Sequence, residues 1–249
     1  VKTLRLGLIG GNITESRSPA LQIVCGLSIG RNVSYDLLIP KEQGLSFEAM
    51  LKRCEIAGFD GVNVTYPYKE EVLKFVPAGN AVIAELGASN TIRFAPEGAK
   101  AWNTDYTGFI SAYRAKFGEA KPGRVLMIGT GGVGRAIAFA LRALGATEIL
   151  LHDIDTAKAE VLAKAVGGTI ADSALLTTLD NIDGVINCTP LGMTGREGSP
   201  LPSNVTGKPR WAFDAVYTPV HTVFRAQTEK LGAEFLSGYE LYFNQGIQG

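Results

Sequence analysis

Apolar residues recur along this chain with two alternating periods, every second position over short runs and every third or fourth over longer ones. Strands and helices are therefore expected to take turns. The run "LRLGLIGG" (4–11) reads as a buried strand, and "SPALQIVCGLSIG" (18–30) as a helix opened by Ser18 and Pro19. "VSYDLLI" (33–39) predicts a second strand, "LSFEAMLKRCEIAG" (45–58) a second helix and "GVNVT" (61–65) a third strand. Strands separated by helices in this order predict a parallel sheet. Tyr66 and Pro67 then break the extended pattern, and helical spacing is expected to resume at Lys69. The stretch "GASNTIRFAPEGAKAWNTD" (87–105) differs, with two short extended pieces about Pro96, Glu97 and Gly98 that predict a hairpin-like edge.

After an amphipathic helix over "YTGFISAYRAKFG" (106–118) and a breaker-rich join, "EAKPGR" (119–124), a second alternating series begins. It runs "VLMIG", "GGVGRAIAFALRALG", "TEILLHD", "DTAKAEVLAKAVGG", "GVINCTP" and, after a Gly/Pro-rich loop, "WAFDAVY". The fold class expected is therefore α/β, two doubly wound domains with a cleft between them, residues 1–103 completed by 238–249, and residues 104–237. A chain of 249 residues has ample length for two such cores.

Charge narrows the partners. Lys plus Arg and Asp plus Glu number 24 each, so no global field favours nucleic acid or an anionic membrane, and a small ligand is the expected partner. Cys25, Cys54 and Cys188 lie far apart with no clustered histidines, which argues against a disulfide framework and against a metal site. His152 and His221 have no second ligand at metal spacing and are given structural roles. No apolar run approaches the roughly 18 residues of a membrane span, and the N-terminal one is too short for a signal segment. A soluble cytoplasmic protein is expected.

The most specific local pattern lies in the second series. Gly129, Gly131 and Gly134 stand in G-x-G-x-x-G register after an apolar strand and before a long helix, so the loop Gly129-Thr130-Gly131-Gly132-Val133-Gly134 is expected to cradle a dinucleotide pyrophosphate at the helix N-terminus. This makes 104–237 a Rossmann-type dinucleotide-binding domain. Asp153 closes the next strand, where an acidic side chain accepts hydrogen bonds from the adenosine ribose. Its charge repels a 2′-phosphate and Ile154 beside it offers no guanidinium, so NAD is favoured over NADP. Asp155 sits where the following helix needs an N-cap.

Oxidation of an alcohol with a dinucleotide needs a proton acceptor and groups that orient the reacting carbon. Candidates in the first series are Ser16, Ser18, Asn63, Thr65, Lys69 and Asn90, with Asp105 at the join. Each alone has a bland explanation as a cap, turn or surface residue. Together they fall at the carboxyl ends of the proposed strands or in adjoining segments, the edge where open α/β sheets bind ligands.

The segments "SRSP", "GVNVTYPYK", "GASNT", "NTDYTGF", "GTGGVGRA", "NCTPLGM", "DAVYTP" and "LYFNQ", in that order across nearly the whole chain, resemble the shikimate/quinate dehydrogenase family. That family reversibly oxidises a ring hydroxyl of shikimate, or of quinate in some members, with NADP or NAD. The resemblance implies that Ser16 and Ser18, with Tyr217, hold the substrate carboxylate, and that Asn63, Thr65, Asn90, Asp105 and Gln245 hold the ring hydroxyls. It implies that Lys69 and Asp105 form the acid/base pair, that Thr189 and Met193 lie along the nicotinamide and its ribose, and that Gly238 lies near the carboxamide.

Three departures stand out. Asp153-Ile154-Asp155 replaces the "NRT"-like stretch of many NADP-using members, which favours NAD; Gln22 and Ile23 replace a common His-Asn pair; and Ser18 stands where threonine accompanies quinate use, which tilts toward shikimate. The resemblance also implies a terminal helix that runs on past Gly249. The activity expected is NAD-dependent oxidation of shikimate, with quinate as a second substrate, in a monomer or homodimer. The alternatives are a dehydrogenase for another cyclic hydroxy acid and a non-catalytic dinucleotide or metabolite sensor on the same fold.

Overall fold

The computed structural model describes residues 2–249 and divides into two compact units, one ending at Thr104 and taking in Gly246–Gly249, the other spanning Asp105–Gln245. In the first unit the chain runs β1 (Leu4–Ile9), α1 (Ser18–Ser28), β2 (Val33–Leu38), α2 (Phe47–Ile56), β3 (Gly61–Val64), α3 (Ala81–Leu86), β4 (Thr91–Arg93) and β5 (Lys100–Trp102). The sheet order is β2-β1-β3-β4-β5, with the first three strands parallel and the last two antiparallel, so the hairpin expected around Gly98 forms one edge. Side chains alternate across β3. Val62 and Val64 join Phe47, Met50, Leu51 and Cys54 of α2 in the core, which leaves Asn63 on the other face.

α1 opens at Ser18 with Pro19 in its first turn, as expected, and the cap position before it is Arg17, without a side-chain hydrogen bond. One local expectation is corrected: no helix starts at Lys69. Residues 66–71 turn, and a single 3-10 turn, Val72–Lys74, follows before Pro77, whose ring and missing N–H prevent helical continuation. The helix arrives later as α3, capped by Asn80, whose side chain accepts from Ile83 N at 3.0 Å, and closed by Gly87 in the left-handed region.

The second unit contains α4 (Thr104–Phe117, from its second residue), β6 (Arg124–Ile128), α5 (Gly132–Ala143), β7 (Glu148–His152), α6 (Thr156–Val166), β8 (Thr169–Ile170), β9 (Thr178–Leu179) and β10 (Gly184–Asn187). β11 (Thr206–Gly207), β12 (Trp211–Asp214), α7 (Val223–Lys230), β13 (Glu234–Ser237) and most of α8 (Gly238–Gln248) complete it. Six parallel strands are ordered β13-β12-β10-β6-β7-β8, the doubly wound dinucleotide-binding order, and strand order reverses between β6 and β10. β9 and β11 pair separately. Helix α4 is anchored by an aromatic stripe: Phe109 meets Phe213 edge-on at 5.0 Å and Tyr113 meets Trp211 at 5.2 Å. Asp155 caps α6 as expected, accepting from Lys158 N at 3.2 Å. No helix among the described residues is long and apolar enough to cross a membrane.

Candidate active site

In the first unit the predicted residues converge at the carboxyl ends of β1 and β3 through main-chain bonds. Val64 N donates to Asn90 O and Ser89 N to Lys69 O, both at 2.8 Å, which ties the segments carrying Thr65, Lys69 and Asn90 together. Gly11 N donates to Tyr66 O at 2.9 Å, which fastens the loop after β1 to the turn after β3. That loop carries Ser16 and Ser18, whose hydroxyls are 3.1 Å apart, and Ser16 Oγ also accepts from Ser18 N. Adjacent half-buried hydroxyls beside a helix N-terminus are suited to a carboxylate. Asn90 is buried, and its Oδ1 accepts from Thr104 N at 2.7 Å and from the hydroxyls of Thr91 and Thr104.

Asn63 keeps different company. Its Oδ1 accepts from the Tyr35 hydroxyl at 2.7 Å and its Nδ2 donates to Thr91 Oγ1, so its amide links β2, β3 and β4 across the sheet face. Gln22, one of the departures seen in the sequence, is buried and donates to Gly246 O at 2.6 Å, one residue from Gln245. It therefore holds the chain carrying a predicted substrate ligand.

In the second unit, Asp105 lies buried in the first turn of α4. One turn on, Gly108 lets the backbone of Gln245 in α8 approach to where a Cβ would stand 2.8 Å from Gln245 N. The glycine loop shows which of its members packing demands. Gly129 has φ +98°, and a Cβ there would meet Cys188 and Thr189 N at 2.6–2.8 Å; a Cβ on Gly134 would collide with Gly129 O. Gly131 is different: it caps α5, φ is ordinary, no side chain satisfies the cap, and a Cβ would meet nothing within 4 Å. Its missing side chain leaves an open cradle over unsatisfied helix N–H groups, which fits a pyrophosphate.

Asp153 follows β7. Its Oδ2 accepts from Thr130 N at 2.6 Å and Thr130 Oγ1 at 2.8 Å, and its Oδ1 from Asp155 N at 2.9 Å. Burial pushes this carboxyl up, but those donors outweigh it and leave its pKa below the ordinary value. Three of about four acceptor positions are thus taken within the chain, which leaves one open to a further donor. Ile154 beside it is fully exposed and presents no cation.

After β10, Thr189 donates through N and Oγ1 to Asn187 Oδ1 at 2.9 and 2.7 Å, and Met193 is exposed on the loop that follows. Tyr217 stacks on Tyr242 at 5.1 Å. A Cβ on Gly238 would stand 2.5 Å from Ala215 O, so this residue holds α8 close to the end of β12. His152 ends β7 half-buried and His221 is exposed. Among the described residues, no group of three or more His, Cys, Asp or Glu side chains is arranged to hold a metal ion.

A family model for the shikimate dehydrogenase substrate binding domain matches residues 8–92. The quinate/shikimate dehydrogenase (NAD(+)) of Corynebacterium efficiens is 32% identical over 98% of this chain and 90% of its own length. The shikimate dehydrogenase (NADP(+)) of Moorella thermoacetica is 31% identical over 97% of this chain and 84% of its own. Among solved structures, quinate dehydrogenase from Corynebacterium glutamicum in complex with NAD superposes with a TM-score of 0.88 at 31% identity, covering 99% of this chain and 92% of that one. Shikimate 5-dehydrogenase from Thermus thermophilus in complex with NADP(H) and shikimate gives 0.86 at 29%, covering 98% and 90%.

Proposed function

This chain belongs to the shikimate/quinate dehydrogenase family, and on that premise we propose that it catalyses the reversible oxidation of shikimate to 3-dehydroshikimate, accepts quinate as a second substrate, and prefers NAD to NADP. The family as a whole works with either dinucleotide, and the relatives named above are divided between them. The observation that carries the preference is Asp153, ionised and aimed from the end of β7 beside an exposed Ile154. A ribose diol gains an acceptor there, whereas a 2′-phosphate meets a like charge and no guanidinium.

The Ser16 and Ser18 hydroxyls hold the substrate carboxylate with Tyr217, while Thr65, Asn90 and Gln245 pair the ring hydroxyls. A site that pairs each hydroxyl discriminates against analogues that would leave buried polar groups unsatisfied. In this assignment Asn63 braces the sheet behind Thr65, in keeping with its bonds to Tyr35 and Thr91. When bound, the dinucleotide supplies the hydride acceptor. As the carbinol C–H bond breaks, the hydroxyl proton leaves to the pair Lys69 and Asp105, which returns it when the ketone is reduced. The cradle 129–134 holds the pyrophosphate, and Thr189, Met193 and Gly238 border the nicotinamide end.

Steady-state rates with shikimate and quinate, each with NAD and NADP, test the proposal. Turnover is expected with both acids, faster with NAD; faster turnover with NADP would refute the preference. Dinucleotide binding without turnover of either acid would instead favour the sensor.

A further inference from the structure

We propose that Asp214 is a positioning residue for the nicotinamide end of the dinucleotide site: its buried carboxylate ties together the loops that carry Thr189, Met193 and Tyr217. The inference rests on the function proposed above. Asp214 ends β12 with 1% exposure, and no step of the reaction uses it. A carboxylate in such a place costs several kcal/mol unless donors surround it, so its retention calls for a reason other than packing.

The donors come from three segments. Asn187 Nδ2 donates to Oδ1 at 3.0 Å from the end of β10, Val216 N donates to Oδ1 at 3.0 Å from the loop leading to Tyr217, and Thr222 Oγ1 donates to Oδ2 at 2.6 Å from the cap of α7. Each donor has a second task. Asn187 Nδ2 also donates to Leu191 O at 3.0 Å while its Oδ1 takes both donors of Thr189, so the carboxylate fixes which way this amide faces and through it the turn 187–191. Thr222 Oγ1 accepts from Arg225 N at 3.1 Å as the α7 cap. Thr194 N, beyond Met193, donates to Thr218 O at 3.3 Å, which joins the two loops a second time. An amide in place of the carboxylate has one acceptor oxygen, and its NH2 group would face the donors of Asn187, Val216 or Thr222. The turn around Thr189 would then lose its reference, although every residue that touches the dinucleotide remained.

Calorimetric titration of NAD and NADP into the wild type, Asp214→Asn, Thr222→Val and Thr222→Ser tests this, with thermal melts run alongside. Asp214→Asn is expected to raise the dinucleotide Kd tenfold or more and Thr222→Val threefold or more, while Thr222→Ser, which keeps the hydroxyl, stays within twofold. If the variants melt lower and bind at reduced stoichiometry, but with Kd within twofold of wild type, Asp214 is a structural brace alone and the inference fails. Thr222→Val keeps the test open if Asp214→Asn does not fold. A wild type that binds NAD or NADP but turns over neither acid would overturn the proposed reaction, while the same titrations still decide the part played by Asp214.

Discussion

Lys69 shows how little a single side chain reveals by itself. In the sequence it is one lysine after a proline, the commonest kind of surface residue; its carbonyl bond to Ser89 and the neighbouring Thr65 and Asn90 segments give it a setting. Lys69→Ala is expected to lower kcat by about 10²–10⁴-fold, the usual contribution of general acid–base catalysis, with the shikimate Kd changed far less. A kcat within threefold of wild type would remove Lys69 from the proton-transfer role. Asp214 makes a prediction of another kind. Burial pushes its pKa up to about 6, against hydrogen bonds from Thr222, Val216 and Asn187 that pull it down. Unfolded, the group ionises near its ordinary 3.8; folded, near 6, so the proton favours the folded state. The stability this contributes is full below pH 3.8 and is lost as pH rises through about 6, roughly 3 kcal/mol in all. Cys188 stays a neutral thiol throughout, its pKa pushed well up by burial and by the charge of Asp214. Asp60, Asp153 and Asp183 have lowered values and act oppositely, losing stability as pH falls. The isolated effect is read as the wild-type minus Asp214→Asn difference in unfolding free energy, which should fall by about 3 kcal/mol between pH 3.5 and 7 and would stay level if the buried carboxyl were not proton-linked to folding.

Among elements, the glycine loop separates folding from binding. Gly134→Ala sets a methyl against Gly129 O and should destabilise the second unit; Gly131→Ala meets nothing and should leave the melting temperature unchanged while raising the dinucleotide Kd tenfold or more. Thermal melts with paired titrations check both, and an unaltered Kd in Gly131→Ala would remove the pyrophosphate from that cradle. The loop was legible because strand, three glycines and helix are contiguous in sequence. The chain after β3 was not: Lys69, Glu70 and Glu71 have helical composition, but Pro77 and the main-chain bonds to Ser89 and Thr65 override it. α3 and β13 went unread for another reason, since their short spans hold too few periods to separate a pattern from chance. The brace of Asn187, Asp214 and Thr222 escaped because its members are 27 and 8 residues apart. Its one local sign was a polar residue closing each of two buried strands, β10 and β12.

At the scale of the molecule, tandem α/β units followed from the order of periodicities, and strand order was the part that periodicity could not supply. Hydrophobic spacing says which residues face inward; it does not say that β6 lies between β7 and β10, which is set by crossover handedness and by the packing of helices on both faces. The aromatic stripe of α4 is one such packing contact between segments far apart in sequence, and Phe109→Ala should cost about 3–5 kcal/mol of unfolding free energy in denaturant melts. A loss below 1 kcal/mol would mean that α4 is held to the sheet by its other contacts.

Asp153 bears on how cofactor preference could drift in this lineage. The carboxylate proposed to disfavour a 2′-phosphate is the same one that fastens Thr130 of the glycine loop. On the proposed reading, a replacement without that carboxylate, made to welcome the phosphate, also unlatches the loop assigned to the pyrophosphate. The two positions are therefore epistatic: Asp153→Ala should weaken NAD more than NADP yet impair both, and a double-mutant cycle with Thr130→Val should be clearly non-additive. A path from one dinucleotide to the other runs through a poorer enzyme unless both residues change together.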